Sequence, residues 1–420
     1  VRRQRQMCIR DRVIGYLIKI ANNHSIWEEE HSGRRRVCML MITHACNLNC
    51  SYCYESHKQN AYMPVELAKE IISKEASFIK ESDKFDEIQV DFMGGEPLMN
   101  FTLIKEIVEW LEGGGIDVPW ICFASTNGTL IDHDMKEWLK QHKQYMVLGA
   151  SYDGTSKMQS KNRGTDRYDI DLDFFHELWP AQTFQMTISK ETLPFLADGV
   201  LSVQHKGYEI NAALAQGVNW SIEDAKLYRK QLCLLKDAYL KDLQLKPLNR
   251  LIRYVDVFNL APTERRQIHG CGSGLNMVTY DIDGKKYGCH MFTPIVLGTD
   301  KAIGVDAVEW EKSDLMADPY CETCVLRRFC PTCPGFNYKY RGHFASRDKR
   351  WCPLVLAEAM TACEFQIERI AMMDNLSAED AEHAQTAIKA YNVLKHLDLE
   401  KSVSPYIICL LYTSDAADEL

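Results

Sequence analysis

The chain has 420 residues and a formal net charge of −9 at pH 7. An acidic balance argues against a nucleic-acid partner, which needs a basic surface against the phosphates. No run of about 18 apolar residues occurs, so no membrane-spanning helix is expected, and the length suffices for one large domain plus a smaller one.

The two ends read as foreign to the rest. Leu410 to Asp418 can be encoded by DNA whose opposite strand, with one further G, encodes Arg2 to Arg10. Termini that encode reverse complements of one another look like a translated sequencing adapter. Residues 1–12 and 409–420 are therefore set aside as adapter-derived scars, and an upstream peptide-recognition domain is an open expectation. The basic start followed by Val13 to Ile20 imitates a secretory signal, but its basic part is the scar and Lys19 interrupts its apolar part. The scars carry +4 and −3, which leaves −10 on the remainder.

In chain order, a strand is predicted near 13–20 and another over 36–42. A helix follows over 64–82, with Pro64 in its first turn and Ala68, Ile71, Ile72, Ala76 and Ile79 on one face. A strand over 87–93 alternates Ile88, Val90 and Phe92, and a helix over 102–112 aligns Ile104, Ile107, Val108 and Leu111. Further strands are predicted at 119–125, 145–151, 182–188 and 208–214. Strands each followed by a crossover imply parallel β/α units. A longer helix over 221–245 opens on the Ser221/Asp224 capping box. The expected organisation is an α/β domain over 13–220, a helical bridge over 221–264, a loop-dominated cysteine-rich domain over 265–355 and a helical tail over 356–408. Metal clusters rather than a large core would stabilise the third of these.

Sixteen cysteines fall to fourteen without Cys8 and Cys409. They cluster as C-x3-C-x2-C and C-x2-C, which in a chain lacking an export signal reads as metal ligation in a reducing cytoplasm. Cys46, Cys50 and Cys53 form the triplet, just after the apolar run from Val37 to Ile42. Three thiolates so spaced hold three irons of a [4Fe–4S] cluster and leave the fourth iron open. Structural zinc, the alternative, closes with four ligands. Cys38, Cys122, Cys233 and Cys363 lie in apolar or helical contexts and read as buried small hydrophobes.

The triplet resembles the signature of the radical S-adenosylmethionine (radical SAM) enzymes. The resemblance implies that the open iron chelates SAM, whose reductive cleavage yields a 5′-deoxyadenosyl radical that abstracts hydrogen from substrate. It also implies a six-stranded partial (β/α) barrel of TIM-like type, with chemistry at the C-terminal ends of the strands. Tyr52 matches the aromatic position near the adenine. Gly94, Gly95 and Glu96, in a Gly-Gly-Glu-Pro turn after the second strand, match the motif that holds the SAM amino group. Asn127 falls in the segment near the ribose. Ser151 and Arg163 match a pattern reaching the ribose and the SAM carboxylate, where a bidentate cation is wanted.

Cys271, Cys289, Cys321, Cys324, Cys330, Cys333 and Cys352 resemble in their order the SPASM extension of radical SAM peptide- and protein-modifying enzymes, which binds two auxiliary [4Fe–4S] clusters. The resemblance assigns Cys271, Cys289 and Cys333 to the first and Cys321, Cys324, Cys330 and Cys352 to the second. One departure is that Pro331 and Thr332 leave two residues, not the usual three, between Cys330 and Cys333. A zinc ribbon shares such spacing. Seven cysteines close one cluster and leave the other an open iron, unless His269 or His290 completes it. Both histidines read as ordinary loop residues. An open auxiliary iron could hold a substrate thiolate. The implied function is maturation of a small cysteine-rich, ribosomally made peptide by thioether formation, with a flavodoxin or ferredoxin as electron donor. The alternatives are formylglycine formation of the anaerobic sulfatase-maturase kind and a non-catalytic iron–sulfur relay.

Overall fold

The computed structural model describes residues 34–164, 170–252, 272–305 and 332–397, together with 308, 310, 318–321, 324, 326 and 330. The expected first strand at 13–20, both scars, His269 and Cys271 lie outside the described residues.

Strand β1 (Arg35–Thr43) turns Cys38, Leu40 and Ile42 outward, all fully buried under the helical layer. Strand β2 (Glu87–Gly94) pairs with it in parallel, and Ile88, Val90 and Phe92 share that outward face at full burial. Between them, α1 (Val65–Glu81) buries the five apolar residues that its periodicity marks. Pro64 is the N-cap, one place before the first turn, with an extended ψ of 144°. It lacks the N–H a helix interior needs and stops the helix from starting earlier. Then α2 (Phe101–Glu112), β3 (Trp120–Thr126), α3 (His133–His142) and β4 (Met146–Ala150) repeat the unit. Next come α4 (Ser156–Arg163), α5 (Leu172–Leu178), β5 (Phe184–Ile188), α6 (Leu196–Gln204) and β6 (Ile210–Leu214).

Strands β1 to β4 run parallel and side by side, and β5 and β6 form a parallel pair. A bridge between Ser151 and Gln185 joins the two groups. Six of the expected strands therefore form two parallel groups joined at Ser151, with helices between successive strands, the partial barrel that the radical SAM resemblance implies.

Helix α7 (Ile222–Lys241) opens on the expected capping box, Ser221 and Asp224 each bonding the other's backbone. Helix α9 (Cys352–Ala371) lies against it, after the shorter α8 (Pro334–Arg341), and α10 (Ala378–Leu394) completes the expected tail. Tyr228 Oη donates to Glu358 Oε2 at 3.0 Å and Arg229 Nη2 to Glu364 Oε1 at 2.6 Å across the α7–α9 contact.

A short part of the cysteine-rich region joins the main sheet. Strand β7 (Met277–Tyr280) pairs in parallel with β1 on the edge opposite β2, and β8 (Lys286–Tyr287) follows as its hairpin partner. A buried polar knot fixes this edge. Arg36 Nε donates to Glu75 Oε2 at 2.8 Å and Tyr280 Oη to Glu75 Oε1 at 2.5 Å, with the Arg36 and Glu75 side chains 5% and 3% exposed. Burial would push the Glu75 carboxyl up, but the Tyr280 and Arg36 bonds outweigh it and hold the carboxyl below its ordinary value. Truncating Glu75 strands a buried guanidinium, which costs about 3–5 kcal/mol. Glu75→Ala should therefore lower the urea midpoint sharply, and Glu75→Gln by less. Equal midpoints for wild type and Glu75→Ala would show that the knot contributes little.

Candidate functional site

The cysteine triplet occupies the loop leaving β1, at the C-terminal edge of the sheet. Cys53 N donates to Cys50 O at 3.1 Å, and the Cys46 thiol accepts from Leu48 N at 3.4 Å. Both flanks of the loop are anchored. Before it, His44 Nε2 lies 2.6 Å from Asp281 Oδ1, and the Gln59 amide donates to His44 Nδ1 at 3.0 Å. Within it, Ser51 N donates at 2.7 Å to the carbonyl of Asn162, in the last turn of α4. Lys58 Nζ donates to Leu48 O at 3.2 Å beside the Cys46 and Cys53 thiols.

Burial pushes the Cys50 thiol up to about 11. Arg163 opposes the rise, while charges on Cys53 and Cys46 add to it. Thiolates that repel one another inside a partly buried loop fit a strongly cationic iron core, which keeps such sulfurs deprotonated. Among the described residues no three His, Cys, Asp or Glu side chains converge tightly enough for one metal ion. A four-iron cube takes its thiolates one per iron.

The Gly94–Gly95 turn touches this loop directly. A Cβ on Gly95 would fall 2.3 Å from Ala45 O and 2.8 Å from Cys46 Cβ, and one on Gly94 would fall 2.3 Å from Thr43 O. Gly95 N donates to Thr43 O at 3.2 Å and Glu96 N to Ala45 O at 2.9 Å. Glu96, 2% exposed, accepts from Thr126 Oγ1 at 2.7 Å, Asn127 N at 2.8 Å and Leu98 N at 3.1 Å. Burial nevertheless raises its carboxyl above the ordinary range. Among the described residues no lysine or arginine ion-pairs with it, so an ammonium-bearing ligand such as SAM fits the charge it lacks. Asn127 also donates from Nδ2 to Asn47 Oδ1 at 2.9 Å, so the cluster loop, Glu96 and the end of β3 form one bonded unit.

Beyond β4, Asp153 is fully buried and collects four bonds. Arg163 donates from Nε at 3.0 Å and Nη2 at 3.3 Å, Tyr52 Oη at 3.1 Å and Thr187 N at 2.9 Å. The sequence reading aims the Arg163 fork at the SAM carboxylate; in the structure a protein carboxylate takes it, because a buried Asp153 requires a counter-charge. Tyr52 carries the Arg163 guanidinium 5.8 Å from its ring centre and so belongs to the same knot. Ser151 is half-buried at the β4–β5 junction.

Four auxiliary cysteines share one neighbourhood. Burial raises Cys352 to about 12, and charges on Cys330, Cys324 and Cys321 add to the rise. Burial also raises Cys330, to about 11, opposed by Arg347. Lys349 Nζ lies 3.9 Å from Cys321 Sγ. This set coincides with the four expected to hold the second auxiliary cluster. Of the first set, Cys289 precedes the turn His290–Phe292, Cys333 caps α8, and both lie in the apolar cluster that includes Phe336 and Tyr54.

Sequence reasoning missed how Tyr54 and His290 join the two regions. Tyr54 is raised by burial, then by charges on Glu55, Cys53, Cys289 and Cys333, which places it between the triplet and the first auxiliary pair. Its hydroxyl lies 3.2 Å from His290 Nε2, so His290 is more than a loop histidine. An aromatic directly after the third cysteine and a histidine directly after Cys289 were the available signals. Cys38, Cys122 and Cys363 are fully buried as expected, whereas Cys233 is only partly buried on the rim of α7.

Residues 32–170 match a family described as a 4Fe-4S single cluster domain. The chain is 27% identical over 180 residues to the radical SAM cyclopropyl synthase TigE of Paramaledivibacter caminithermalis, covering 36% of each chain. It is 24% identical over 262 residues to the antilisterial bacteriocin subtilosin biosynthesis protein AlbA of Bacillus subtilis, covering 60% of this chain and 54% of AlbA. The chain thus spans about a third to a half of the length of these curated relatives. A solved structure of anSMEcpe with bound AdoMet superposes with a TM-score of 0.59 at 14% identity, over 84% of this chain and 98% of that one. That likeness establishes the fold.

Two substitutions test the site. Gly95→Ala should push Cys46 out of register and lower the iron retained after reconstitution, while Gly113→Ala, at a negative φ and with no atom nearer its Cβ than 3.4 Å, should not. Glu96→Gln should weaken SAM binding by roughly ten- to a hundredfold in equilibrium dialysis, the size of a hydrogen bond to a charged group. Unaltered binding would remove Glu96 from the SAM site.

Proposed function

We propose that this chain, a radical SAM protein by its cysteine triplet, partial barrel and relatives, is a peptide maturase. It abstracts hydrogen from a ribosomally made peptide and closes a cysteine thioether. The thiol gives up its proton as it joins the carbon radical, and the one electron released leaves through the auxiliary clusters that the second cysteine set would hold. Bound at the site, a [4Fe–4S] cluster and SAM supply the 5′-deoxyadenosyl radical for that abstraction. The chain's own residues do the rest. Cys46, Cys50 and Cys53 hold the cluster, Glu96 anchors the ammonium of SAM, and Gly94 and Gly95 let that ligand approach the backbone. The Tyr52–Asp153–Arg163 knot braces the cluster loop from the α4 side. Cys289 and Cys333, with Cys271, would hold a first auxiliary cluster near the substrate; Cys321, Cys324, Cys330 and Cys352 would hold a second.

The observation that carries this reading is the bonded unit linking the cysteine loop, the glycine turn and Glu96. A relay of electrons has no use for a buried carboxylate prepared for an ammonium group. The peptide substrate is supported by the AlbA relationship and by a peptide-bound anSMEcpe structure of similar fold, whose TM-score is 0.57 over 86% of this chain. An external one-electron donor such as a flavodoxin or ferredoxin would reduce the first cluster.

The test is anaerobic reconstitution, iron and sulfide counting, and a SAM-cleavage assay under dithionite. About twelve irons per chain are expected for three four-iron clusters, with release of 5′-deoxyadenosine. About four irons with bound zinc would remove the auxiliary clusters from the mechanism. Failure to cleave SAM would leave an electron relay instead.

A further inference from the structure

The inward face of the barrel is of mixed polarity and is accessible along part of its width. Outward-facing residues of the strands are nearly inaccessible: Cys122, Ala124, Phe184, Met186, Ile188 and Ala212 are all 5% exposed or less. Their inward neighbours are not. Phe123, Ser125, Thr187 and Ala213 are half-buried, and Gln185 and Asn211 are exposed. Solvent thus enters the barrel along β3, β5 and β6. Exposure confined to the inner face of a curved sheet marks a concavity rather than a frayed edge.

One carboxylate stands in the wall of that hollow. At the base, Arg35 pairs with Glu87, its Nε donating to Oε1 at 2.5 Å, and its Nη1 donates to Gln89 Oε1 at 3.2 Å. The Gln89 amide then donates from Nε2 to Asp91 Oδ1 at 2.7 Å. Above this base, Asp91 is the ionisable side chain that the inward faces of β1 to β6 present among the described residues. Register places it between Met39 of β1 and Phe123 of β3, with Val147 of β4 beyond. Asp91 is 8% exposed, and its Oδ2 accepts no hydrogen bond from the described residues. Burial pushes the carboxyl up to about 7, against the pull of Gln89, His290 and Arg35. One carboxylate oxygen is thus locked by Gln89, and the other is not fully enclosed and is left to accept a hydrogen bond from a group entering the barrel. It lies three residues before Gly94, on the strand that carries the SAM-binding turn.

We propose that Asp91 holds the substrate inside the barrel, its Oδ2 accepting a hydrogen bond from an N–H group of the entering peptide. The Gln89 amide is the positioning group that aims this oxygen, and Met39 and Phe123 supply the apolar walls beside it. The assignment rests on the peptide-modifying reading above.

The test uses the full chain, reconstituted anaerobically, loaded with SAM and immobilised. It is exposed to a synthetic library of short cysteine-containing peptides, and the retained peptides are identified by mass spectrometry. Asp91→Asn, nearly isosteric and uncharged, should reduce retention of the wild-type set at least about tenfold, one hydrogen bond to a charged acceptor. Iron content and circular dichroism, measured alongside, report that the variant is folded. Phe123→Leu, in the same layer, should change which peptides are retained. Equal retention by wild type and Asp91→Asn, identical sets for wild type and Phe123→Leu, or no retention by wild type would each overturn the assignment. Absence of 5′-deoxyadenosine release from the wild type under dithionite would instead overturn the enzymatic reading itself.

Discussion

The contact on which the rest depends is backbone against backbone, between the ends of two adjacent parallel strands. Where β1 and β2 finish, Gly94 and Gly95 lie against the carbonyls of Thr43 and Ala45. Side chains there would hold the two loops apart. Without them, the cysteine loop and the Glu96 turn share hydrogen bonds and move as one piece. The groups suited to iron and to an amino acid are thus fixed relative to one another by strand pairing before any ligand arrives. Such prearrangement lowers the cost of assembling the site.

Around this contact the protein compensates its buried charges locally. Asp153 is matched by Arg163 and Glu75 by Arg36, Asp281 is hydrogen-bonded by His44, and each contact ties a different element to the cysteine loop or to its strand. Each member would be expensive alone, so the pairs specify geometry more than they add stability. Glu96, Asp91 and Glu55 are the exceptions. All three are buried carboxylates without an ion-pair partner among the described residues, and Glu96 and Asp91 face the region where ligands are expected. Incomplete neutralisation here tracks function.

Much of this was legible in the sequence. Alternation of Ile88, Val90 and Phe92 marks the outward face of β2, and Ser221 with Asp224 marks the start of α7, because these signals are local. The cysteine spacing and the Gly-Gly-Glu-Pro turn are local as well. Pairings that depend on distant elements were not readable. Nothing in the sequence near Arg163 distinguishes a ligand carboxylate from Asp153 as its partner, since both satisfy the same guanidinium fork. Asp91 is one polar letter in an apolar strand, and its meaning appears only when the curvature of the sheet puts that face inside. The run from Met277 to Tyr280 was read with a separate cysteine-rich module because the four residues are too few to show which sheet they join.

That last pairing has a consequence for how the chain reaches its native state. Val37 lies beside Met277 and Leu40 beside Tyr280, so one edge of the first strand stays open until more than half the polypeptide has followed it. Contacts of such long sequence separation form late and slowly. An uncovered parallel edge, rich in methionine and branched residues, is a template for pairing with another chain meanwhile. The late strand therefore acts as a closing seal. A nascent or truncated chain lacking it would present an adhesive edge, and recombinant yield would follow how fast the C-terminal part arrives.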